Sequence, residues 1–244
     1  MIDIGNTYMW IGGGTNEEAA IWQLVGSNPV KVSNTAIDSK IQKFSQDDIK
    51  AAFAYSFSKN GQTFVGFTFP QLTIEYNIIS NKWNERKSQI INSKGITESI
   101  RWRVNSLVTA YGRLIVFDSQ DGRIGELDAD TYTEYERVII RKFSTFTIFN
   151  DESSFTIPEI ELTMESGVGN AAQPNPRIRL STSRDDRKFN DPIPRYVGAE
   201  GDNEKRQIWK RAGRFPRMCI CLFEFSDPCK FAVLKLGMRI RGGV

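Results

Sequence analysis

The basic residues near the carboxyl end are the side chains whose type and spacing most clearly suggest a chemistry. Between residues 205 and 217 the chain carries six lysines and arginines, no acidic residue and one tryptophan. Clustered cations beside an aromatic side chain suit contact with phosphates. The candidate residues for a DNA-lining surface or a subunit interface are Arg206, Trp209, Lys210, Arg211, Arg214 and Arg217.

A subunit interface accounts for these residues at least as well, because arginine is favoured at interfaces for its forked, stacking guanidinium. The surrounding part of the chain is also basic, with 19 basic and 13 acidic residues in 137–244, although the net charge of the whole chain is only +3. A channel that lets DNA slide could equally be acidic. Both interpretations stay open on the sequence.

Catalysis by the commonest routes is disfavoured because the sequence contains no histidine. Histidine is the usual general base and the usual partner of a nucleophilic serine or cysteine. Asp185-Asp186, flanked by Arg184 and Arg187, suggests a glycosidase pair, but no nucleophile with an arginine cluster can be located by spacing. We therefore predict that the protein is not an enzyme and needs no cofactor.

Two further segments suggest ligand sites and are better explained as turns. Asp118, Asp121, Asp128 and Asp130 could supply oxygen ligands to calcium, but Asp-Gly turns account for the same residues. The run Gly12-Gly-Gly14 lacks the Lys-Ser/Thr of a phosphate loop. We predict no metal site.

The cysteines and most tryptophans have an apolar setting that predicts core packing. Buried free thiols are expected for Cys219, Cys221 and Cys229, the first two on one face of a strand. Core positions are expected for Trp10, Trp22, Trp83 and Trp102.

Short strand-like runs separated by turn signals indicate antiparallel structure up to about residue 145. Residues 50–90 contain four such runs, with Asn60-Gly61 as a hairpin signal between the first two, and four strands are the size of a propeller blade. A similar unit follows over 106–136, and a less complete one lies over 8–24. We predict blades at about 1–48, 49–96 and 97–145. One short helix is expected within 33–50, with Ser33 or Asn34 as its N-cap.

The remaining residues alternate over longer segments, such as 159–164 and 177–182, which is typical of sheets with one solvated face. The predicted fold is therefore all-β, with a partial β-propeller over 1–145 and a β-sandwich-like domain over 146–244. No run approaches the roughly 20 apolar residues of a membrane helix, and no signal peptide opens the chain. We expect a soluble protein without a membrane anchor, made in a cytosol.

Several segments, in order along most of the chain, resemble the packaged-DNA stabilisation proteins of short-tailed bacteriophages. In the first domain the resemblance lies in Phe69-Pro70, Trp83-Asn-Glu-Arg86 and Asp121-Gly122 followed by Glu126-Leu127-Asp128. The second domain has the Glu165-Ser-Gly-Val-Gly169 turn. Its most specific series is Gly198, Gly201, Arg206, Trp209-Lys-Arg211, Gly213-Arg214 and Ser226-Asp227-Pro228.

The resemblance implies a structural tail hub, or nozzle, located in the virion tail and made in the host cytoplasm. Six copies would form a ring below the portal adaptor protein and close the DNA exit channel. The ring would dock the tail needle and the tailspikes, and double-stranded DNA would pass through it without sequence-specific contacts. Retention of packaged DNA would then depend on subunit contacts rather than on catalysis.

The chain departs from the family pattern in two places. Residues 183–189 lack the glycines of the family's hairpin and carry Phe189 in place of tryptophan, so we expect a hairpin with altered turn geometry. The family's members are longer, and this chain corresponds to their C-terminal portion, starting where the second half of a propeller would. We therefore expect an upstream portion to be missing or supplied by another chain.

The alternative function is a stand-alone carbohydrate- or DNA-binding β-domain, and a hydrolase is a more distant one. Ring formation on an adaptor complex would favour the hub. Saccharide affinity in a monomer would favour the binding domain, and substrate turnover would favour the hydrolase.

Overall fold

A computed structural model describes residues 1–5, 7–13, 18–151 and 153–242 of the chain. The chain divides into two compact units, 1–128 and 129–244. Strands in both units pair antiparallel, and the all-β class predicted from the sequence is confirmed.

The first sheet of unit 1 contains four described strands that pair in sequential order. They are β1 (Ile2–Asp3), β2 (Tyr8–Gly12), β3 (Ala20–Val25) and β4 (Asn28–Lys31). Gly12 of the predicted glycine turn is the last residue of β2, whereas Gly14 lies outside the described residues.

Two short helices, not one, follow the first sheet in the described segment 18–151. They are α1 (Thr35–Ile41) and α2 (Gln46–Lys50). Of the two predicted N-cap candidates, Asn34 caps α1, its side chain accepting from the Ile37 amide at 3.0 Å. The sequence analysis missed the capping box of Ser45 and Asp48, which starts α2.

The second sheet of unit 1 has five strands, one more than predicted, because the chain turns back after residue 91 and pairs again. The strands are β5 (Phe53–Lys59), β6 (Gln62–Thr68), β7 (Thr73–Asn77), β8 (Lys82–Ile91) and β9 (Thr97–Arg101). Asn60 and Gly61 have φ of 52° and 72°, which confirms the predicted tight hairpin between β5 and β6.

The third sheet has three strands among the described residues instead of the four predicted. They are β10 (Val104–Ala110), β11 (Arg113–Asp118) and β12 (Ile124–Glu126). The expected fourth strand, near 131–136, pairs instead with the residues that follow it, in unit 2.

The second sheet buries apolar side chains on both of its faces. On one face Val65, Phe67 and Ile74 join the same core cluster as Met9 of the first sheet. On the other face Tyr55 and Phe57 share a cluster with residues of the third sheet, Trp102, Val104, Leu114 and Val116. Burial of a side chain of this size contributes about 1.5–3 kcal/mol, so each sheet is stabilised mainly by its neighbours.

A buried polar group lies between the second and third sheets. The Tyr55 ring covers Gly66 on the adjacent strand, and its hydroxyl donates to Glu75 at 3.2 Å. The Arg86 Nε donates to the same carboxylate at 2.6 Å, and its guanidinium lies 4.6 Å from the Trp102 ring centroid. Burial raises the pKa of Tyr55 well above its ordinary value, so the phenol stays neutral and donates.

A buried ion pair lies at the end of the third sheet, next to β8. Arg103 is 3% exposed, and its Nε contacts the buried Asp118 carboxylate. Its Nη2 lies 2.9 Å from Asp121, while its backbone amide donates to the Ser88 hydroxyl at 3.0 Å. The Arg123 guanidinium, with help from Arg103, holds the pKa of Asp121 well below its usual range.

Unit 2 is a pair of packed sheets with one small hairpin. The hairpin consists of β13 (Thr133–Glu134) and β14 (Arg137–Val138). The remaining strands are β15 (Arg141–Ser144), β16 (Ile148–Phe149), β17 (Phe155–Met164), β18 (Arg177–Ser183), β19 (Ile193–Tyr196), β20 (Gln207–Phe215), β21 (Met218–Phe225) and β22 (Val233–Gly242). One sheet has the order β15-β21-β18-β19, with β16 also paired to β21, and the other has the order β20-β17-β22.

The core of unit 2 lies between these two sheets. Ile160 and Leu162 of β17 share one cluster of buried side chains with Leu180 of β18 and Phe223 of β21. Cys219, Cys221 and Cys229 are buried and free, as predicted, and the first two sulfur atoms lie 3.9 Å apart.

The predicted domain boundary at 145/146 is too late. Strand β15 pairs with β21, with Arg141 opposite Phe225, so it belongs to the second unit. The contacts place the division after Asp128.

Replacing Gly66 with alanine should destabilise unit 1. The new Cβ would lie 1.9 Å from the Tyr55 ring, which must then move away from Glu75. We expect the free energy of unfolding, measured by urea denaturation, to fall by about 1–3 kcal/mol. Gly237→Ala is the control, because its new Cβ would lie 3.8 Å from its nearest neighbour. Equal stability of Gly66→Ala and the parent protein would contradict the packing described here.

Asp118→Asn should be much more harmful than Asp121→Asn. The first substitution leaves the buried Arg103 charge without its closest partner, which typically costs about 3–5 kcal/mol. Asp121 is 39% exposed, so solvent screens its contact with Arg103 and its loss should cost much less. Denaturant titration of both variants checks this order, and equal losses would mean that the buried pair does not stabilise the fold.

Candidate nucleic-acid interface

Strand β20 places three of the predicted basic residues on the outward face of the β20-β17-β22 sheet. Trp209 and Phe215 point into the core, so Lys210 and Arg214 point outward by strand alternation. Arg206, immediately before the strand, has the same orientation and pairs with the outward-facing Glu161.

The other two predicted basic residues lie off this regular face. Arg211 sits in a bulge with φ of 56°, and Arg217 is exposed in the turn between β20 and β21. The bulge lies opposite Pro158, which has no N–H to donate to a neighbouring strand. The sequence therefore grouped residues that the structure places in different settings.

Trp209, one of the six candidate residues for a DNA-lining surface or a subunit interface, lies in the core and is not on the surface. Its side chain is 1% exposed, and its Nε1 donates to the Ile193 carbonyl at 2.8 Å. The ring packs edge-on against Phe223 at 5.7 Å. Successive residues of a strand point to opposite faces of the sheet, so Trp209 faces the core while Lys210 faces solvent.

Strand β22 supplies three outward-facing cations that the sequence analysis missed. Across β17, Lys235 lies opposite Thr163, Arg239 opposite Glu159, and Arg241 opposite Thr156. The available signal was the spacing of the basic residues after Leu234, which lie two or four positions apart. Only the pairing with β17 brings these residues to the same face as Lys210.

Two of the six cations on this face are neutralised by acids on β17. Arg206 forms a fork with Glu161, its Nε and Nη2 lying 2.7 and 2.8 Å from the carboxylate oxygens. This contact holds the pKa of Glu161 below its ordinary value. Arg239 lies 3.5 Å from Glu159.

The other four cations form no ion pair with any residue that the structure describes; they are Lys210, Arg214, Lys235 and Arg241. Arg214 has a hydrogen bond to the Ser154 hydroxyl at 3.1 Å. Strand spacing and rise place these cations on a surface of about 10 by 23 Å. Such a surface matches a run of phosphates rather than one small anion. We name this surface the basic face, defined by Arg206, Lys210, Arg214, Lys235, Arg239 and Arg241.

The aspartates considered for calcium binding are used otherwise. Asp118 and Asp121 contact Arg103, and Asp118 also accepts backbone hydrogen bonds in the Asp121-Gly122 turn. Within the described residues, no group of three or more histidine, cysteine or acidic side chains has the arrangement of a metal site.

The aspartates considered for glycoside hydrolysis belong to a turn. The Asp185 carboxylate accepts from the Ser183 hydroxyl and from the amides of Arg187 and Lys188. The two amides hold the pKa of Asp185 below its ordinary value. Asp186 takes a positive φ of 61° where the family pattern has glycine, and Ser183 pairs with Phe189, so the hairpin forms without that glycine.

The glycines of the family pattern fix two loops of unit 2 against each other. The amides of Gly167 and Gly169 donate to the carbonyls of Val197 and Gly198. A Cβ at Gly169 would lie 2.6 Å from the Pro174 oxygen, and one at Gly198 would lie 2.7 Å from the Asp202 oxygen. Close approach of backbones, rather than ligand binding, explains these glycines.

In the part of the chain that the structure describes, no helix has the length and apolarity of a transmembrane segment.

A comparison with solved structures gave an exo-β-1,3-galactanase from Phanerochaete chrysosporium with β-1,3-galactotriose, at 9% identity. The match covers 96% of this chain and 68% of the galactanase. Its TM-score is 0.23, which is too low to indicate a shared fold. No curated protein matches the chain.

Family models match both units. Residues 1–132 match the model of "Bacteriophage P22 Gp10, beta-propeller", and residues 140–241 match that of "Bacteriophage P22 Gp10, beta-sandwich". These names agree with the three stacked sheets of unit 1 and the two packed sheets of unit 2, and they confirm the predicted propeller and sandwich. The chain therefore belongs to the bacteriophage P22 Gp10 family of phage structural proteins, which stabilise packaged DNA.

Proposed function

We propose that the protein is a tail hub that closes the DNA exit channel below the portal adaptor protein. Six copies form a ring in the virion tail, the tail needle closes its lumen, and tailspikes dock outside. The match of both units to the P22 Gp10 family supports this proposal most strongly. The work of such a hub is mechanical, so no catalytic residue is assigned, and the chain is made in the host cytoplasm.

We further propose that the basic face contacts phosphates of the passing DNA, without reading its sequence. Four cations there lack a described acidic partner, and two strands hold them on a rigid sheet. Subunit interfaces favour aromatic side chains, and the described residues of this outward face include none, since Trp209 is buried in the core.

Loss of the chain should release the genome. We expect particles assembled without it to lose their packaged DNA. The loss is measured as the amount of DNA outside the capsid that a nuclease can degrade. Addition of the purified protein during assembly should restore DNA retention. The purified Arg187→Gln/Lys188→Gln variant should restore it equally, because both substitutions lie in an exposed turn away from the basic face. Stable retention of DNA by particles that lack the chain would contradict the hub.

Removal of two charges from the basic face should weaken binding to duplex DNA of any sequence. For Lys210→Gln/Lys235→Gln, we expect the slope of log K against log salt concentration to become shallower by about one to two. The measurement is fluorescence anisotropy with a random-sequence duplex.

The matched control is Arg187→Gln/Lys188→Gln, which lowers the net charge equally. An identical slope change in both variants would show that net charge alone acts. Intact DNA binding with loss of ring assembly in Lys210→Gln/Lys235→Gln would instead identify the face as a subunit interface.

A further inference from the structure

The cations of the basic face lie in two rows along the outer strands of their sheet, with β17 between the rows. Lys210 of β20 and Arg239 of β22 both lie opposite Glu159, so this acid has one cation on each side. Neighbouring strands are about 4.8 Å apart, which sets the two rows about 10 Å apart. One row contains Arg206, Lys210 and Arg214, and the other contains Lys235, Arg239 and Arg241.

The middle strand carries acids where a surface built only to hold phosphates would carry more cations. Its outward residues are Thr156, Glu159, Glu161 and Thr163. Glu161 accepts both hydrogen bonds of the Arg206 fork, and Glu159 lies 3.5 Å from Arg239. Each acid therefore occupies an arginine that would otherwise be available to a phosphate. Each also adds a negative charge between the rows, where it repels the DNA backbone.

The fold itself does not require these two ion pairs. The side chain of Arg206 is 65% exposed, and an ion pair between solvent-exposed side chains contributes little to stability. Repulsion between the two rows of cations is weak as well, because their separation of about 10 Å equals the Debye length at 0.1 M salt. The acids are better explained by their effect on what binds to the face.

We propose that Glu159 and Glu161 limit how strongly the basic face holds DNA, so that the duplex can move past it. This inference rests on the proposed contact between the basic face and DNA. The four cations without an acidic partner engage phosphates, whereas the two paired arginines are withheld. Binding is then weaker, and depends less on salt, than six free cations would make it.

This restraint has its largest effect in the proposed ring of six copies. Copies placed around one duplex contact it together, so one additional phosphate contact in each copy adds six contacts to the same DNA molecule. Every contact raises the affinity through the counterions that it releases. DNA held by all of these contacts would leave the channel slowly. The acids of the middle strand keep the total low and leave enough positive charge to guide the duplex.

Glu161→Gln tests the proposal, because it removes the negative charge and frees Arg206 with little change in the shape of the side chain. Binding to a random-sequence duplex is measured by fluorescence anisotropy over a range of salt concentrations. We expect the slope of log K against log salt concentration to become steeper by about one, so the affinity at 0.1 M salt should rise roughly tenfold. Arg206→Gln/Glu161→Gln should return the slope to that of the parent protein, because the freed arginine is then missing.

Glu224→Gln is the matched control. Glu224 lies on the outward face of the other sheet of unit 2, is 32% exposed against 30% for Glu161, and lies 2.6 Å from Lys142. Its substitution changes the net charge equally and also frees one cation, but away from the basic face. We expect this variant to have the slope of the parent protein, and all variants to keep the parent's circular dichroism spectrum.

Three results would overturn the restraint. They are an unchanged slope in Glu161→Gln, an equally steep slope in Glu224→Gln, and a slope in Arg206→Gln/Glu161→Gln that stays steeper than that of the parent. In each of them the parent protein binds DNA, so the proposed DNA contact would stand. A parent protein and variants that all fail to bind the duplex would instead contradict the DNA contact itself, and the restraint with it.

Discussion

A sheet with apolar side chains on both faces is stable in water only when something covers each face, and the second sheet of unit 1 is such a sheet. Its β6 alternates Val65 and Phe67 on one face with Phe64 and Gly66 on the other, and apolar neighbours cover both. The first sheet covers one of these faces and the third sheet covers the other. Stacking of this kind builds the blades of a propeller.

The sheets of unit 2 follow a different rule, because each has one apolar face. Two such sheets cover each other and leave the outward faces to solvent, where charge costs little. The sheet formed by β20, β17 and β22 uses this freedom for the basic face. Pro158 in the central strand has no N–H to donate, and the register shifts beside it on both sides: β20 has an extra residue opposite Pro158, whereas β17 itself has an extra residue relative to β22. The cations of the basic face therefore lie on a sheet whose strand register shifts beside Pro158.

Local signals in the sequence were sufficient for much of the fold. The Asn60-Gly61 turn, the Asn34 cap and the alternation of the later strands each depend on neighbouring residues, and each was predicted. Pairings between distant segments were not. Strand β15 was assigned to the wrong domain because only its pairing with β21 reveals its place.

The candidate site was predicted only in part, again because pairings between distant segments are not visible in the sequence. The basic residues around β20 were found because they are adjacent in sequence, whereas those of β22 reach the same face only through β17. Trp209 was misjudged because its charged neighbours obscured its inward position. The grouping of Gly167, Gly169 and Gly198 shows that a family pattern can mark close backbone contacts rather than a binding site.

A chain that forms the hub of a phage tail must be present in the virion, so the particle itself offers the most direct test. Purified virions should be imaged by cryo-electron microscopy, and density below the portal should be compared with both units of the chain. We predict a symmetric ring into which the three sheets of unit 1 and the sandwich of unit 2 can be traced, with the basic face toward the DNA. Absence of the chain from the tail would contradict the account.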